Sequence, residues 1–287
     1  MDDVVLKKNR RKFQPSQLVL HVILLLWAST TIYPLVWVFN NSFKDKDIIL
    51  VDSFSLINSS TSTLANYVTA FTKMNIGRSY ANSLIISGSV VVLVMFFGGL
   101  AAYIIARYDF FGKKVIHASL IAALLFPAFA TIVPVFMILM RLDLVNKHIG
   151  VIIPQTAGNL AFAIIILVGF MSSIPIELEE SAVVEGCSPW QIFSRIVVPV
   201  SKPSFSTVAI FTFLWSYNDL FLQMVILRKR ETFPISALLN EISSQYGGTD
   251  FGLMAAAVTL VIIPVLIVYL LMQQNIIKGL TAGAVKG

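Results

Sequence analysis

Six stretches of this chain, at about 18–40, 82–106, 115–140, 149–172, 204–227 and 252–275, are apolar over a length that leaves few folds open. A helix needs roughly 20 apolar residues to cross the hydrocarbon of a bilayer. Inside lipid every backbone N–H and C=O must find a partner within the protein, so only helices and closed barrels span it. Runs this long and this continuous read as helices. They predict an all-α, polytopic membrane protein with six transmembrane helices. The composition agrees, with 57% hydrophobic and 13% charged residues among 287. A soluble domain carries about a quarter charged residues.

The remaining residues constrain topology and exclude several functions. The net charge of +6 is spread over connecting segments, with one cluster at Lys7–Lys12, so it does not read as a nucleic-acid surface. A single cysteine, Cys187, excludes an internal disulfide, and His21, His117 and His148 have no metal-ligand spacing. The first run is too long for the core of a signal peptide, so it is expected to stay as a span. Its aromatics Trp27, Tyr33, Trp37 and Phe39 group toward one end, as in an interfacial belt. Pro34, Pro127, Pro134, Pro154 and Pro264 interrupt runs and free backbone groups that neighbours must satisfy. Gly88, Gly98, Gly99, Ala101 and Ala102 thin one face of the second run for close helix packing. The basic N-terminal cluster and the tight Arg107–Lys114 turn favour both termini inside. The expected organisation is a cytoplasmic segment 1–17, a six-helix membrane domain 18–275, and a cytoplasmic tail 276–287.

Between the fourth and fifth runs lies a polar, helix-forming insert, 173–203, which this topology also places inside. Glu177–Val184 carries Leu178, Ala182 and Val183 at helical spacing. Gly186 can supply the left-handed residue that ends that helix. Ser188, Pro189 and Gln191 then have the pattern of a capped second helix. Trp190, Phe193, Ile196 and Val197 lie toward one side of it, and Pro199 and Pro203 turn the chain into the next run. The result is a helix–turn–helix with an acidic first limb. By pattern alone it reads equally as a docking hairpin for a soluble partner or as a loop packed on its own bundle.

Polar residues within the runs form a second group. Thr212, Ser216, Asp219 and Gln223 share one helical face, and Gln155 and Asn159 form an i,i+4 pair. Asn159, Phe162, Trp215, Asn218 and Asp219 supply the planar polar groups and aromatic faces that a sugar needs. Hydrogen bonding between helices would use such residues as well. Outside the bundle, Lys44–Ser79 has the pattern of a short amphipathic helix on the rim, around Leu64–Tyr67 and Phe71. Arg228–Asp250 ends in Tyr246, Gly247, Gly248 and Thr249, read either as a solvated connector or as a contact for another chain. No phosphate-binding Gly-x-x-x-x-Gly-Lys loop, metalloprotease helix or nucleophile elbow is present, so an intramembrane enzyme is disfavoured. A stand-alone secondary transporter or channel would call for inverted repeats and buried acids, and neither stands out.

The insert resembles the EAA loop of ABC-importer permease subunits. Glu180-Ser181-Ala182-Val183-Val184-Glu185-Gly186, followed by Ile196, Pro199 and Pro203, follows the family's E-A-A-x-x-D-G and proline pattern. Ser181 replaces the usual Ala, and Glu185 the usual Asp. Asn66-Tyr67, Tyr80–Ser83, Ala101–Arg107, Trp215–Asp219 and the ending Ile277–Gly287 resemble the sugar-importing, maltose-type branch. The resemblance implies a cytoplasmic coupling loop in which Glu177, Glu180, Ser181, Ala182, Glu185, Gly186, Trp190, Phe193 and Pro199 serve an ATPase. It implies a substrate path at Asn159, Phe162, Thr212, Trp215, Ser216, Asn218, Asp219 and Gln223. Tyr246, Gly247, Gly248 and Thr249 would contact a binding protein, and the tail would lie against the ATPases. The implied partners are a second homologous permease, two ATPase subunits and an extracytoplasmic sugar-binding protein. No cofactor is expected on this chain, with ATP and Mg held by the ATPases. The implied location is the bacterial or archaeal inner membrane. Six spans without an N-terminal extension suit the second permease of such a system.

Overall fold

A computed structural model describes residues 15–246 and 250–284. Every regular element in that range is helical. Helices α1 (Pro15–Ser42), α2 (Lys46–Val51), α3 (Ala65–Lys73) and α4 (Ile76–Arg107) come first. They are followed by α5 (Lys113–Leu124), α6 (Ile132–Arg141) and α7 (His148–Met171). The insert forms α8 (Glu177–Val184) and α9 (Pro189–Val200). Helices α10 (Lys202–Asn218), α11 (Leu220–Ile226), α12 (Ile235–Tyr246) and α13 (Phe251–Ala284) complete the order.

Four helices are long and apolar enough to cross a membrane unaided, namely α1, α4, α7 and α13. Two further apolar helix pairs are each bent at a break, Lys113–Leu124 with Phe129–Arg141 and Pro189–Val200 with Lys202–Asn218. The expected third span, 115–140, is not one helix: α5 and the segment Phe129–Arg141 meet at 97°. Pro127 sits at the break in extended conformation (φ −68°, ψ 118°). Proline lacks an N–H and also drives the residue before it out of the helical region, so the ladder fails there. The expected fifth span, 204–227, is also divided. Helix α10 ends at Asn218, Asp219 leaves helical geometry (ψ 81°), and α11 restarts at Leu220. The last helix runs unbroken past 275, so the expected tail continues α13 up to Ala284.

The core lies where α4, α7 and α10 meet. Ile86, Val90 and Val94 of α4 are buried with Val151, Ala163 and Leu167 of α7 and Val208 of α10. Close approach depends on α4 glycines. A Cβ on Gly98 would lie 3.3 Å from Ala163 Cβ, and one on Gly99 would lie 2.9 Å from Phe205 Cζ. Gly88, expected on the same thinned face, meets no neighbour within 4 Å. Helix α1 lies apart from this core, and its apolar side chains are exposed. That surface suits lipid or another membrane chain rather than water.

The ends opposite the insert carry more structure than the expected rim helix. At one edge the buried Lys44 donates through Nζ to the carbonyl of Ser55 at 2.5 Å and to Ser55 Oγ at 3.2 Å. Asn40 and Asn41 pin the same loop through Ser55, Ile57 and Ser53. The Arg228–Asp250 segment is not a simple solvated connector. Most of it forms α12, whose buried Ile235, Leu238 and Ile242 pack with Met74, Tyr217 and Leu253. Their i, i+3, i+7 spacing is an amphipathic helix pattern.

Candidate functional site: a latched hairpin and an intramembrane cleft

The α8–α9 hairpin is defined by its turn. Gly186 has φ +80°. The Cys187 N–H donates to the Ala182 carbonyl at 2.9 Å, and the Gly186 N–H to the Val183 carbonyl at 3.0 Å. These two bonds form a Schellman motif, which satisfies carbonyls that the end of α8 would otherwise leave bare. Two residues later a capping box starts α9. The Gln191 N–H donates to Ser188 Oγ, and the Ser188 N–H donates to Gln191 Oε1. Pro189 occupies the first turn, where its missing N–H costs nothing. The turn is therefore held by backbone chemistry on both sides. Within α9, Phe193–Val197 widens into a π turn just before Pro199. A proline there cannot complete the normal ladder, and a wider turn accommodates the gap. The chain then turns by 79° into α10.

The hairpin is fastened to the bundle by a buried charge pair. Arg107, at the end of α4, donates through Nε to Glu179 Oε1 at 2.5 Å and through Nη2 to the Ile174 carbonyl at 3.1 Å. Tyr103 OH donates to the other carboxylate oxygen, Oε2, at 3.1 Å. Both charged side chains are nearly enclosed, at 9% and 7% exposure. Phe193 packs against the Tyr103 ring, with centroids 5.3 Å apart. Ala182, Ile192, Phe193 and Val197 join the main core. None of Glu179, Arg107 and Tyr103 belongs to the site expected from the sequence pattern. The available signal was spacing, since Glu179 and Ala182 stand three apart and share the inward face of α8.

With Glu179 and Ala182 turned inward, α8 presents the rest of its residues outward. Glu177, Glu180, Ser181, Glu185 and Gly186 are exposed, as are Trp190 and Pro199 on the second limb. Of the nine residues expected to couple, only Ala182 and Phe193 are buried, so these two anchor the hairpin rather than present it. Ser181 Oγ donates to the Glu177 carbonyl at 2.8 Å. Leu178, Val183 and Trp190 are also open, at 47%, 60% and 56% exposure. The apolar residues expected to bury α8 therefore largely face away from the bundle, beside acidic side chains. An uncovered apolar surface rimmed by charge is the form a docking face takes.

The second assembly is a cleft of about 650 Å³ between the α5–α6 break, α7 and the α10–α11 break. Asn159, Trp215, Ser216, Asn218 and Asp219 line it, together with Gln155, Phe129 and Phe221. The polar groups at its base form a chain of bonds. Ser216 Oγ donates to Gln155 Oε1 at 2.6 Å, and Gln155 Nε2 donates to Asp219 Oδ2 at 2.9 Å. Asp219 Oδ1 also accepts from the Leu222 N–H at 3.2 Å, so the carboxylate caps α11. Gln223 Nε2 donates to the Ser216 carbonyl, and Ser236 Oγ to Gln223 Oε1. Gln155 is the hub, and it was absent from the expected site.

This geometry divides the eight expected path residues. Asn159, Trp215, Ser216, Asn218 and Asp219 line the cleft. Phe162 stands behind it, edge-on to Trp215 with centroids 4.7 Å apart. Thr212 and Gln223 are buried among helices and do not line it. Tyr246 is the last residue of α12, and Gly247, Gly248 and Thr249 lie outside the described residues. Among the described residues, no cluster of His, Cys, Asp and Glu could hold a metal.

The family described as binding-protein-dependent transport system inner membrane component matches residues 94–281. The diacetylchitobiose uptake system permease protein NgcG of Streptomyces coelicolor is 34% identical over 92% of this chain and 87% of its own length. The trehalose transport system permease protein SugB of Mycobacterium tuberculosis is 32% identical, over 88% of this chain and 92% of its own. A bacterial ABC transporter involved in import of the acidic polysaccharide alginate has a chain of the same fold. It superposes with a TM-score of 0.80, covering 91% of this chain and 98% of that one at 24% identity.

Proposed function

The chain belongs to the family of binding-protein-dependent transport system inner membrane components, and from that premise we propose that it carries a sugar or oligosaccharide across the membrane as one permease subunit of an ABC importer. Its role is transport, and hydrolysis of ATP falls to other subunits. Several relatives are named as permeases for diacetylchitobiose, trehalose and arabinooligosaccharides, which supports a carbohydrate cargo. The complete transporter would contain a second, homologous permease and two ATPase subunits holding ATP and Mg. An extracytoplasmic binding protein would deliver the sugar. The membrane is the bacterial or archaeal inner membrane. Both termini, segment 1–17 and tail 276–287, would face the cytoplasm, on either side of the membrane domain 18–275.

In this reading the α8–α9 hairpin docks on an ATPase. The observation that carries it is the inverted helix α8, with its acid Glu179 inside and its apolar Leu178 and Val183 outside. Glu177, Glu180, Glu185 and Trp190 are the docking side chains, and Gly186 and the capping box hold the turn that presents them. The Arg107–Glu179 latch ties any movement of the hairpin to α4, the central helix of the bundle. Sugar would pass by Trp215, Asn159, Asn218 and Asp219, and Tyr246–Thr249 would meet the binding protein. Alternating access then follows if the ATPases bind the inward and outward states with different strength.

Charge reversal at Glu180 tests the docking claim. Glu180→Lys should leave membrane abundance and assembly of the permease pair unchanged, because Glu180 is exposed. Sugar uptake and binding-protein-stimulated ATP hydrolysis should fall together. Normal uptake with normal hydrolysis would refute docking at this face.

A further inference from the structure

We propose that the α7–α10–α11 cleft is a charge filter, passing uncharged glycans and rejecting acidic ones such as uronates. The inference rests on the reading of that cleft as the sugar path, and it adds the substrate class. Among the described residues that line the cleft, Asp219 is the only ionisable side chain. Both its oxygens are acceptors, one from Gln155 Nε2 and one from the Leu222 N–H, and neither donor carries a charge. Among the described residues, no Lys, Arg or His lines the cleft to offset the carboxylate. Its other polar side chains, Thr131, Gln155, Asn159, Ser216 and Asn218, are neutral, and the remaining surface is aromatic and aliphatic. Such a wall offers hydroxyls hydrogen-bonding partners and gives sugar rings the exposed indole of Trp215. It offers a carboxylate no counter-ion. Two like charges about 5 Å apart, at an effective permittivity of about 20, oppose association by well over tenfold. Selection by repulsion is a common way to separate otherwise similar ligands.

The test uses two disaccharides of matched size, cellobiose and cellobiouronate, which differ by one carboxylate. Equilibrium dialysis against the complete transporter in nanodiscs, with the binding protein left out, reads the membrane path alone. The expected result is cellobiouronate binding at least about tenfold more weakly than cellobiose. In Asp219→Asn, which keeps an acceptor for Gln155 and a good helix cap, the gap should shrink to within about threefold. Asn218→Asp, which adds a second acid to the same wall, should widen it. Equal binding of the two sugars to the unaltered protein would overturn the filter. So would a gap that neither substitution moves. Failure of both sugars to bind saturably, while the same complex still drives uptake, would overturn the assignment of the cleft as the path and the filter with it.

Discussion

Removing Glu179 should release the hairpin while leaving the bundle folded. In Glu179→Ala, Arg107 keeps only its bond to the Ile174 carbonyl, and Tyr103 OH loses its acceptor. A buried ion pair broken on one side costs about 3–5 kcal/mol, because the surviving charge stays desolvated. The lower figure is the better guide here, since Arg107 sits at the end of a helix and can turn toward water. At about 1.4 kcal/mol per factor of ten, 3 kcal/mol favours hairpin opening by about a hundredfold. Hydrogen exchange resolved by mass spectrometry reads this directly. Amides of 177–200 should exchange about a hundredfold faster, while those of the α4 centre around Val90 and Val94 keep their protection. Glu179→Gln, which retains acceptors for both partners, should have a smaller effect. In the double variant Arg107→Ala/Glu179→Ala, the effect should be far below the sum of the two single ones, since each alone strands its partner. Additive losses, or unchanged exchange over 177–200 in Glu179→Ala, would refute the latch.

Three other perturbations follow from local geometry. Ser188→Ala deletes half of the capping box and should cost about 1 kcal/mol, seen as faster exchange at Ile192 and Phe193 with the spans unaffected. Gly99→Ala places a methyl 2.9 Å from Phe205 Cζ and should lower thermal stability by about 1–3 kcal/mol, with Phe205→Leu restoring part of the loss. Gln155→Leu leaves Ser216 Oγ and one oxygen of Asp219 without their partner and should reduce uptake more than membrane abundance, whereas Gln155→Glu keeps the Ser216 bond but sets a second acid against Asp219 and should impair uptake further for any sugar.

Much of this architecture was legible because lipid imposes simple rules. Apolar length located the four helices long enough to cross unaided, and the residues of the hairpin turn announced themselves, since Gly186, Ser188, Pro189 and Gln191 act through local backbone bonds. The breaks were harder. Pro127 was visible as an interruption, but a bend of 97° depends on what the freed groups meet in three dimensions. The break at Asp219 has no proline at all, and it reflects a carboxylate capping a new helix instead of continuing the old one. Glu179 was missed because hydropathy assigns acids to the outside. Its partner, Arg107, lies 72 residues earlier, and only folding brings the pair together. Gln155 was seen as half of a polar pair on α7, yet its role as hub depends on α10. In both places the local pattern was overridden by one long-range polar bond.

The central claim is that the α8–α9 hairpin is the cytoplasmic contact of this permease with its ATPase. Site-directed crosslinking tests it most directly. A cysteine placed by Glu180→Cys in a Cys187→Ser background, within the assembled transporter in inside-out vesicles, should react with an impermeant maleimide in one sample and, in a second, join the ATPase subunit through a short thiol-to-amine crosslinker. The yield should change between nucleotide-free and ATP-bound states. A cysteine that reacts only from the extracytoplasmic side, or that is accessible in the cytoplasm but forms no adduct with an ATPase in any nucleotide state, would contradict the account.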